Sequence, residues 1–220
     1  MRRRAAMIAA GSVLLGARAV AQPLSPAQIA LFETPHLAVL PVPVALSYRF
    51  LREEDGRDTV EDRIRLEVRG SAEPGRRDVS AQFLTGPRNL PYPQAQGFRG
   101  NPLLIFALDR DARELSAATG GSMHWFRERI RRAFAAGAEQ HAIEVELHGQ
   151  RLPATEFAIQ PFLGEGRARR FQARRYAFVV AEGVPGTIHS IRSTTPAGEG
   201  GGAFAESIVF DGATPIGGVP

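Results

Sequence analysis

The sequence predicts an α+β fold, in which a largely antiparallel, curved sheet or open barrel of about eight strands carries an inserted helical hairpin. A stretch from Asn101 to Gly137 has helical periodicity, and blocks of alternating apolar and polar residues lie on either side of it. The turns between these blocks are short. Short turns favour antiparallel neighbours, because parallel strands need a crossover of about a dozen residues.

The helical hairpin is predicted at 102–137. Asn101-Pro102 marks its start, since an asparagine side chain can accept a free N–H bond and proline fits the first helical turn. Gly120-Gly121 ends the first helix, and Ser122 can cap the second. The apolar residues that recur at helical spacing are Leu104, Leu108, Ala112 and Leu115 in the first helix and Phe126, Ile130, Ala133, Phe134 and Gly137 in the second. The first helix also carries the opposite-charge pairs Asp109–Arg113 and Arg110–Glu114.

Alternating segments predict three strands before the helical hairpin and five after it. They cover residues 44–51, 63–69, 78–84, 143–148, 151–162, 170–182, 187–194 and 203–210. Three prolines between Gly86 and Pro93 keep that stretch out of the sheet interior, because proline lacks an N–H donor. It is therefore predicted to cross the surface as a loop.

Residues 1–21 have the layout of a secretory signal peptide. Arginines at positions 2–4 precede a weakly apolar run at 5–15, and Ala19-Val20-Ala21 before Gln22 fits a cleavage site. The consecutive arginines favour twin-arginine export, although the complete motif of that route is not present. The apolar run is shorter than the roughly 20 residues that span a bilayer, so the mature chain is expected to have no transmembrane span and to be periplasmic.

Removal of the predicted signal peptide leaves a chain of balanced charge. Four of the 27 basic residues and none of the 23 acidic residues lie in 1–21, so 23 of each sign remain. Binding of nucleic acid depends on an excess of cationic side chains, and no nucleic-acid partner is expected. With no cysteine, the chain has no disulfide, thiol nucleophile or thiolate metal site. Its length suits a single α+β domain at 22–212, followed by a flexible tail at 213–220.

No catalytic residue, metal site or cofactor motif is recognisable. The five histidines are scattered, and Ser122 does not lie in a G-x-S-x-G nucleophile elbow. Gly120, Gly121 and Ser122 are a candidate anion-binding site, because free N–H groups and the helix dipole meet at a helix start. A helix end followed by a helix cap explains the same residues.

Two residues of the helical hairpin depart from its pattern. Asp111 falls within the apolar stripe of the first helix, where a carboxylate is costly unless it is paired. A structural ion pair with Arg129 or Arg132 of the second helix is therefore predicted. Trp125 lies off the apolar face of its helix and either packs under the proline loop or anchors a partner or membrane surface.

Several segments resemble those of a family of exported proteobacterial proteins that has no assigned activity. They are Gly86-Pro87-Arg88, Asn101-Pro102, Asp109-Arg110-Asp111-Ala112-Arg113-Glu114, Thr119-Gly120-Gly121-Ser122 and Phe126-Arg127-Glu128-Arg129-Ile130-Arg131. The resemblance spans most of the mature chain and implies export but no function. More loosely, the architecture is similar to the half-barrel carriers that move lipids or lipoproteins across the periplasm, a likeness of shape alone.

Two classes of function fit these features. The first is a non-enzymatic periplasmic protein that binds an apolar, lipid-like ligand or an envelope partner protein, and the second is a hydrolase or transferase with a site spread over the loops. The lack of catalytic motifs favours the first. Its candidate ligand-binding residues are Tyr48, Phe50, Tyr176, Phe178, Val180 and Trp125. They line an apolar cleft if the curved sheet is only partly covered, and they form an ordinary core if it closes on the helices.

Overall fold

The structure is a computed structural model that describes residues 23–198 and 201–217. The predicted signal peptide at 1–21 lies outside the described residues, as do Glu199-Gly200 of the glycine-rich loop and the last three residues of the predicted tail. The α+β fold is confirmed. Its sheet is curved, unclosed and antiparallel, with nine strands.

Four strands precede the helical hairpin and five follow it. They are β1 (Val44–Glu54), β2 (Val60–Gly70), β3 (Arg77–Phe83), β4 (Ala95–Phe98), β5 (Glu139–Leu147), β6 (Gln150–Ile159), β7 (Arg175–Val180), β8 (Ile188–Thr195) and β9 (Phe204–Pro215). Their order in the sheet is β4-β3-β2-β1-β9-β8-β7-β6-β5, so the last strand pairs with the first and β1 and β9 lie at its centre. The two groups of strands therefore form one continuous sheet.

Helices occupy the N-terminal segment and the chain between β4 and β5. They are α1 (Pro26–Gln28), the π-helical turn Ile29–Glu33, α2 (Leu103–Thr119) and α3 (Met123–Ala136). Short 3-10 turns lie at Gly86–Arg88 and Gly166–Phe171. Asn101 Oδ1 accepts a bond from the Leu103 N–H over 3.1 Å, which anchors the start of α2 as its sequence predicts.

Three boundaries differ from the sequence prediction. Strand β4 follows the proline loop as a ninth strand, and its four residues are too few to show an alternating pattern. Residues 213–215 of the predicted flexible tail extend β9, where they pair with Val44, Ala45 and Leu46 of β1 and gain ladder bonds. The strand predicted at 170–182 is reduced to β7, because its first residues belong to the 3-10 turn.

The inward face of the sheet and the two long helices share one core. Leu104, Ala112 and Leu115 of α2 are buried, as are Phe126, Ile130 and Phe134 of α3. The rings of Phe134 and Phe178 lie 5.4 Å apart, which places α3 directly over β7. Burial of these apolar faces gives the fold its main stabilisation.

Candidate ligand-binding site

Four of the predicted ligand-binding residues lie in this core. Tyr48, Phe50, Tyr176 and Phe178 are each at most 2% exposed. Tyr176 and Phe178 stack on each other at 6.4 Å, while Tyr48 meets the ring of Phe210 edge-on at 5.6 Å. Of the four, Phe50 also contributes to the wall of a surface pocket beside α2. The helices thus cover the part of the sheet at which the sequence allowed either an open cleft or a closed core, and a closed core is present.

Val180 and Trp125 are half-buried at different places on this core. Trp125 stacks on Phe162 at 6.1 Å and meets Phe126 edge-on at 4.9 Å, with the guanidinium of Arg129 over its ring at 5.6 Å. Its packing partner is thus the segment after β6 and not the proline loop. The structure does not bring Trp125 and the buried aromatic residues together around one opening.

In the turn at Gly120, Gly121 and Ser122 the two glycines form hydrogen bonds within the chain, whereas Ser122 is the N-cap of α3 without the side-chain cap bond that its position allows. Gly120 ends α2 at φ 70°, and its N–H donates to Ser116 O over 2.9 Å. The Gly121 N–H donates to Thr119 Oγ1 over 3.1 Å, and a Cβ on Gly121 would stand 3.2 Å from the Phe126 ring. Gly120 is therefore explained by the end of α2, and Gly121 by its close approach to the ring of Phe126.

Asp111 is buried, but its partner is Arg174 of the segment before β7. Arg174 Nη1 donates to Asp111 Oδ1 over 2.8 Å, and the Tyr176 hydroxyl donates to Asp111 Oδ2. The predicted pair with Arg129 or Arg132 is wrong, because Asp111 points towards the sheet and not towards α3. Arg129 pairs with Glu165, and Arg132 Nε donates to Glu128 Oε1 over 2.8 Å.

A second buried arginine continues the polar interior beside Asp111. Arg110 Nη1 donates to Glu206 Oε1 over 2.6 Å and Nη2 to Glu114 Oε1 over 2.8 Å. Burial raises the pKa of Glu206, and the nearby Arg110 acts in the opposite direction. Burial also raises the pKa of Tyr176, and the Asp111 carboxylate adds to that increase. The pair Arg110–Glu114 predicted at i,i+4 is present, with Arg110 buried and the side chain of Glu114 37% exposed.

An open apolar groove lies on the outer side of the helices. We call it the helical groove: it has a volume of about 420 Å³ and is formed by Leu24, Gln28, Phe32, Glu33, Ile105, Leu108, Asp109, Arg127, Ile130, Arg131 and Phe134. Ile130 and Phe134 are buried at its floor, whereas Leu24 and Ile105 remain 49% and 47% exposed at its rim. Large apolar side chains are thus available to a ligand at this place.

The N-terminal segment forms one wall of the helical groove and is fixed to the rest of the fold. Ser25 and Gln28 form a capping box at α1, and Ser25 Oγ donates to Phe134 O over 2.7 Å. The rings of Phe32 and Phe134 meet edge-on at 5.1 Å. Buried His36 closes the segment, with Nε2 3.1 Å from Leu31 O. The wall is therefore preformed.

Charged residues flank the apolar floor of the helical groove. Asp109 accepts a bond from Arg127 across the groove and from Arg113 Nε over 2.7 Å. Arg131, whose side chain is 71% exposed, pairs with Glu128 of the same helix. An apolar floor with few charged groups at the rim is typical of sites that bind amphiphilic ligands.

The helical groove is the part of the candidate site that sequence reasoning missed. Its floor comes from the predicted stripes of α2 and α3, but its wall comes from Leu24 and Phe32, which lie in a proline-rich segment without periodicity. The sequence signal that could have indicated this wall is the presence of apolar residues in a segment without regular periodicity. Their juxtaposition with Ile105 arises only in the tertiary structure.

The described residues contain neither a membrane-spanning helix nor a cluster of metal ligands. Among these residues no helix has the length and apolar character needed to cross a membrane. Within the same part of the chain, no group of three or more His, Cys, Asp or Glu side chains is placed to hold a metal ion.

Comparison with known proteins finds distant structural neighbours only. No protein-family model matches the sequence, and no curated protein matches it significantly. A chain of the Pseudomonas aeruginosa MucA/MucB complex is 15% identical with a TM-score of 0.33, covering 84% of this chain and 56% of that one. A LolA superfamily protein from Nitrosomonas europaea is 7% identical with a TM-score of 0.25, covering 88% of this chain and 94% of that one. The chain thus spans about half the length of the first of these neighbours.

Proposed function

We propose that this protein is exported to the periplasm and binds an apolar, chain-like ligand with an anionic head group in the helical groove. Export rests on the sequence of 1–21, with its arginines, apolar run and Ala19-Val20-Ala21 site. Binding rests on the groove itself, where a preformed apolar floor stays open in a chain whose other aromatic residues are packed. A non-enzymatic carrier or sensor needs no further chemistry at this site.

The dimensions of the groove support a single acyl chain as occupant. Its volume of about 420 Å³ lies in the range of small-molecule sites, roughly 300–1,000 Å³. The floor offers Ile130 and Phe134 to the chain and the wall offers Phe32, while the exposed Arg131, whose partner Glu128 is shared with Arg132, lies within the lining as a partner for a carboxylate. The head group and chain of a fatty acid match this arrangement.

Titration with a fluorescent fatty acid tests the proposal. We expect saturable binding to the folded protein, and competition by unlabelled fatty acids that weakens about tenfold when the chain is shortened by two methylenes, each worth about 0.8 kcal/mol on burial. Ile105→Glu places a carboxylate at the rim and should weaken binding at least about tenfold. Leu163→Glu changes an equally apolar residue, 68% exposed and outside the groove, and should leave binding unchanged. Equal affinity for both variants would contradict the assignment.

Edge strand β5 favours a second candidate function, the binding of an envelope protein. Its nine residues form one border of the sheet, and most of its side chains are exposed. Within the described residues its outer backbone groups have no neighbouring strand, so a partner can add one by pairing along β5. The charges of Glu139, Glu144 and Glu146 oppose such pairing unless the partner strand is basic.

Site-specific photo-crosslinking in cells separates this candidate from the first. A crosslinker in place of His141 on β5, where the side chain is 57% exposed, should capture a distinct envelope protein. The same crosslinker at the exposed Arg63 of β2, within the sheet, serves as the control. Identical products from the two positions would contradict partner binding at this edge.

A further inference from the structure

A second pocket lies at the opposite end of α2 from the helical groove. It has a volume of about 400 Å³, and we call it the arginine pocket after Arg52, Arg57, Arg170 and Arg174 in its lining. The apolar part of the lining includes Phe171, Phe204 and Leu115. Groove residue Leu108 and pocket residue Leu115 are seven residues apart on α2, about 10 Å along its axis, so the two sites are separate.

Positive charge exceeds negative charge in the arginine pocket. Its four arginines face two acidic lining residues, Glu54 and Glu114. Glu54 is shared among Arg52, Arg57 and Arg170, at 3.2, 3.5 and 3.5 Å, and Arg52 Nη1 also donates to Glu114 Oε2 over 3.0 Å. One carboxylate cannot saturate the donors of three guanidinium groups, each of which carries five N–H bonds. Donors therefore remain for an anion that enters the pocket.

The carboxylates behind the pocket do not remove this excess. Asp111 pairs with Arg174, while Glu206 and Glu114 both pair with Arg110. When Arg110, Asp111 and Glu206 behind the pocket are included, there are five arginines and four carboxylates, those of Glu54, Asp111, Glu114 and Glu206.

Aromatic rings hold these arginines in position. The Arg174 guanidinium lies 4.3 Å from the centre of the Phe204 ring and 5.2 Å from that of Phe171. Arg52 stands over Phe204 at 5.0 Å, and Arg170 over Phe171 at 4.8 Å. A guanidinium over a ring face is attracted to it and loses rotational freedom before any ligand binds. Donors fixed in this way favour recognition of a planar or tetrahedral oxyanion.

Arg174 provides an independent indication of a ligand. It is only 2% exposed, and Asp111 is its hydrogen-bonding partner in the described chain. Its Nε is buried without any hydrogen-bond acceptor in the described chain. A buried N–H without an acceptor is costly, and an anion that reached the inner wall of the pocket would relieve that cost.

We propose that the arginine pocket binds a phosphate group. A phosphate oxyanion matches the positive excess and the forked donors of the arginines, and the flanking Phe171, Phe204 and Leu115 accommodate an apolar portion of a larger ligand. The group is either free phosphate or the head group of an anionic phospholipid. The site is independent of the helical groove and of acyl-chain binding there.

Calorimetric titration with sodium phosphate, against sodium chloride at the same ionic strength, measures binding of the free anion. Flotation with phosphatidylcholine vesicles, with and without phosphatidic acid, measures binding of the head group. Arg170→Gln removes a donor whose side chain is 40% exposed, and the fold should tolerate this change. Arg49→Gln removes the same charge from β1, at an exposed residue paired with Asp211 outside the pocket.

We expect saturable binding in one of the two assays, weakened about tenfold or more in Arg170→Gln and within about twofold of the original in Arg49→Gln. A response to phosphate identifies the free anion, and a response to phosphatidic acid vesicles alone identifies the head group. No saturable response in either assay, or equal losses in the two variants, would overturn the proposal. Circular dichroism verifies that both variants are folded.

Discussion

Arg174 and Asp111 form an ion pair inside the core, 2.8 Å apart, that joins the start of β7 to the middle of α2. Arg174 is 2% exposed and Asp111 4%, so each charge depends on the other for solvation. Burial alone would lower the pKa of Arg174, but the Asp111 carboxylate holds it above its usual value. The pair therefore fixes how the helical hairpin sits on the sheet.

Asp111→Ala should destabilise the protein by about 3–5 kcal/mol, because it leaves the Arg174 charge buried without a partner. Asp111→Asn keeps the shape and should still cost more than a surface substitution. Urea denaturation measures both. Asp211→Ala is the control, since it breaks the exposed pair with Arg49 at 3.1 Å and should cost at most about 1 kcal/mol. A loss below about 0.5 kcal/mol for Asp111→Ala would show that the pair is not buried.

The charged interior around this pair shows where sequence reasoning stops. Alternation correctly predicted that Tyr48 and Phe50 share one apolar face of β1, but the same face continues with half-buried Arg52, whose charge is typical of an exposed position. Glu206 of β9 is buried. Extending the alternation of inward and outward residues along β1 and β9 would have indicated that Arg52 and Glu206 lie on the inward face. Their partners come from α2, and such long-range contacts leave no local signal.

Helix positions and strand pairing were largely predictable because they follow local rules. The two apolar stripes of the helical hairpin and the short turns between strands identified an antiparallel α+β fold, which the structure confirms. Strand β4 and the helical groove were not predictable. β4 is held by its pairing with β3, and the groove by packing of Phe32 on Phe134, both set by tertiary contacts.

A methyl group at Gly186 should destabilise the protein more than one at Gly56. Both glycines have φ 75°, a conformation that costs a side chain about 1–2 kcal/mol. A Cβ at Gly186 would also stand 2.8 Å from Leu46 Cδ1, whereas nothing lies within 4 Å of one at Gly56. Gly186→Ala should therefore cost about 1–3 kcal/mol more than Gly56→Ala in urea denaturation. Equal losses would show that the turn at Gly186 moves away from the core.

The free energy of unfolding should decrease as the pH falls, because the fold holds His36 in its neutral form. Burial lowers its pKa from 6.5, and in the fold the ring is neutral, donating from Nε2 to Leu31 O and accepting at Nδ1 from the Thr187 hydroxyl. The unfolded chain binds the proton more tightly, so this contribution is complete above about pH 7 and is lost as the pH falls below 6.5 towards the lowered pKa of the native ring. The measurement is the unfolding free energy from pH 5 to 8. The difference between the original protein and His36→Gln should shrink as the pH falls.

The exported protein should begin at Gln22, because Ala19-Val20-Ala21 fits a signal-peptidase site. Intact-mass measurement of protein from the periplasm tests this expectation. Replacement of Arg3 and Arg4 by lysine tests the route, since twin-arginine transport distinguishes arginine from lysine. Recovery of a periplasmic chain that retains Met1 would contradict the signal-peptide prediction.

Photo-labelling with a diazirine-bearing fatty acid tests binding in the helical groove most directly. After irradiation and proteolysis, mass spectrometry should locate the label on residues of the groove wall and floor, such as Phe32, Ile105 and Phe134, and an excess of unlabelled fatty acid should suppress it. A label on the inward face of the sheet near Phe178 and Val180, or one that unlabelled fatty acid does not suppress, would contradict the account.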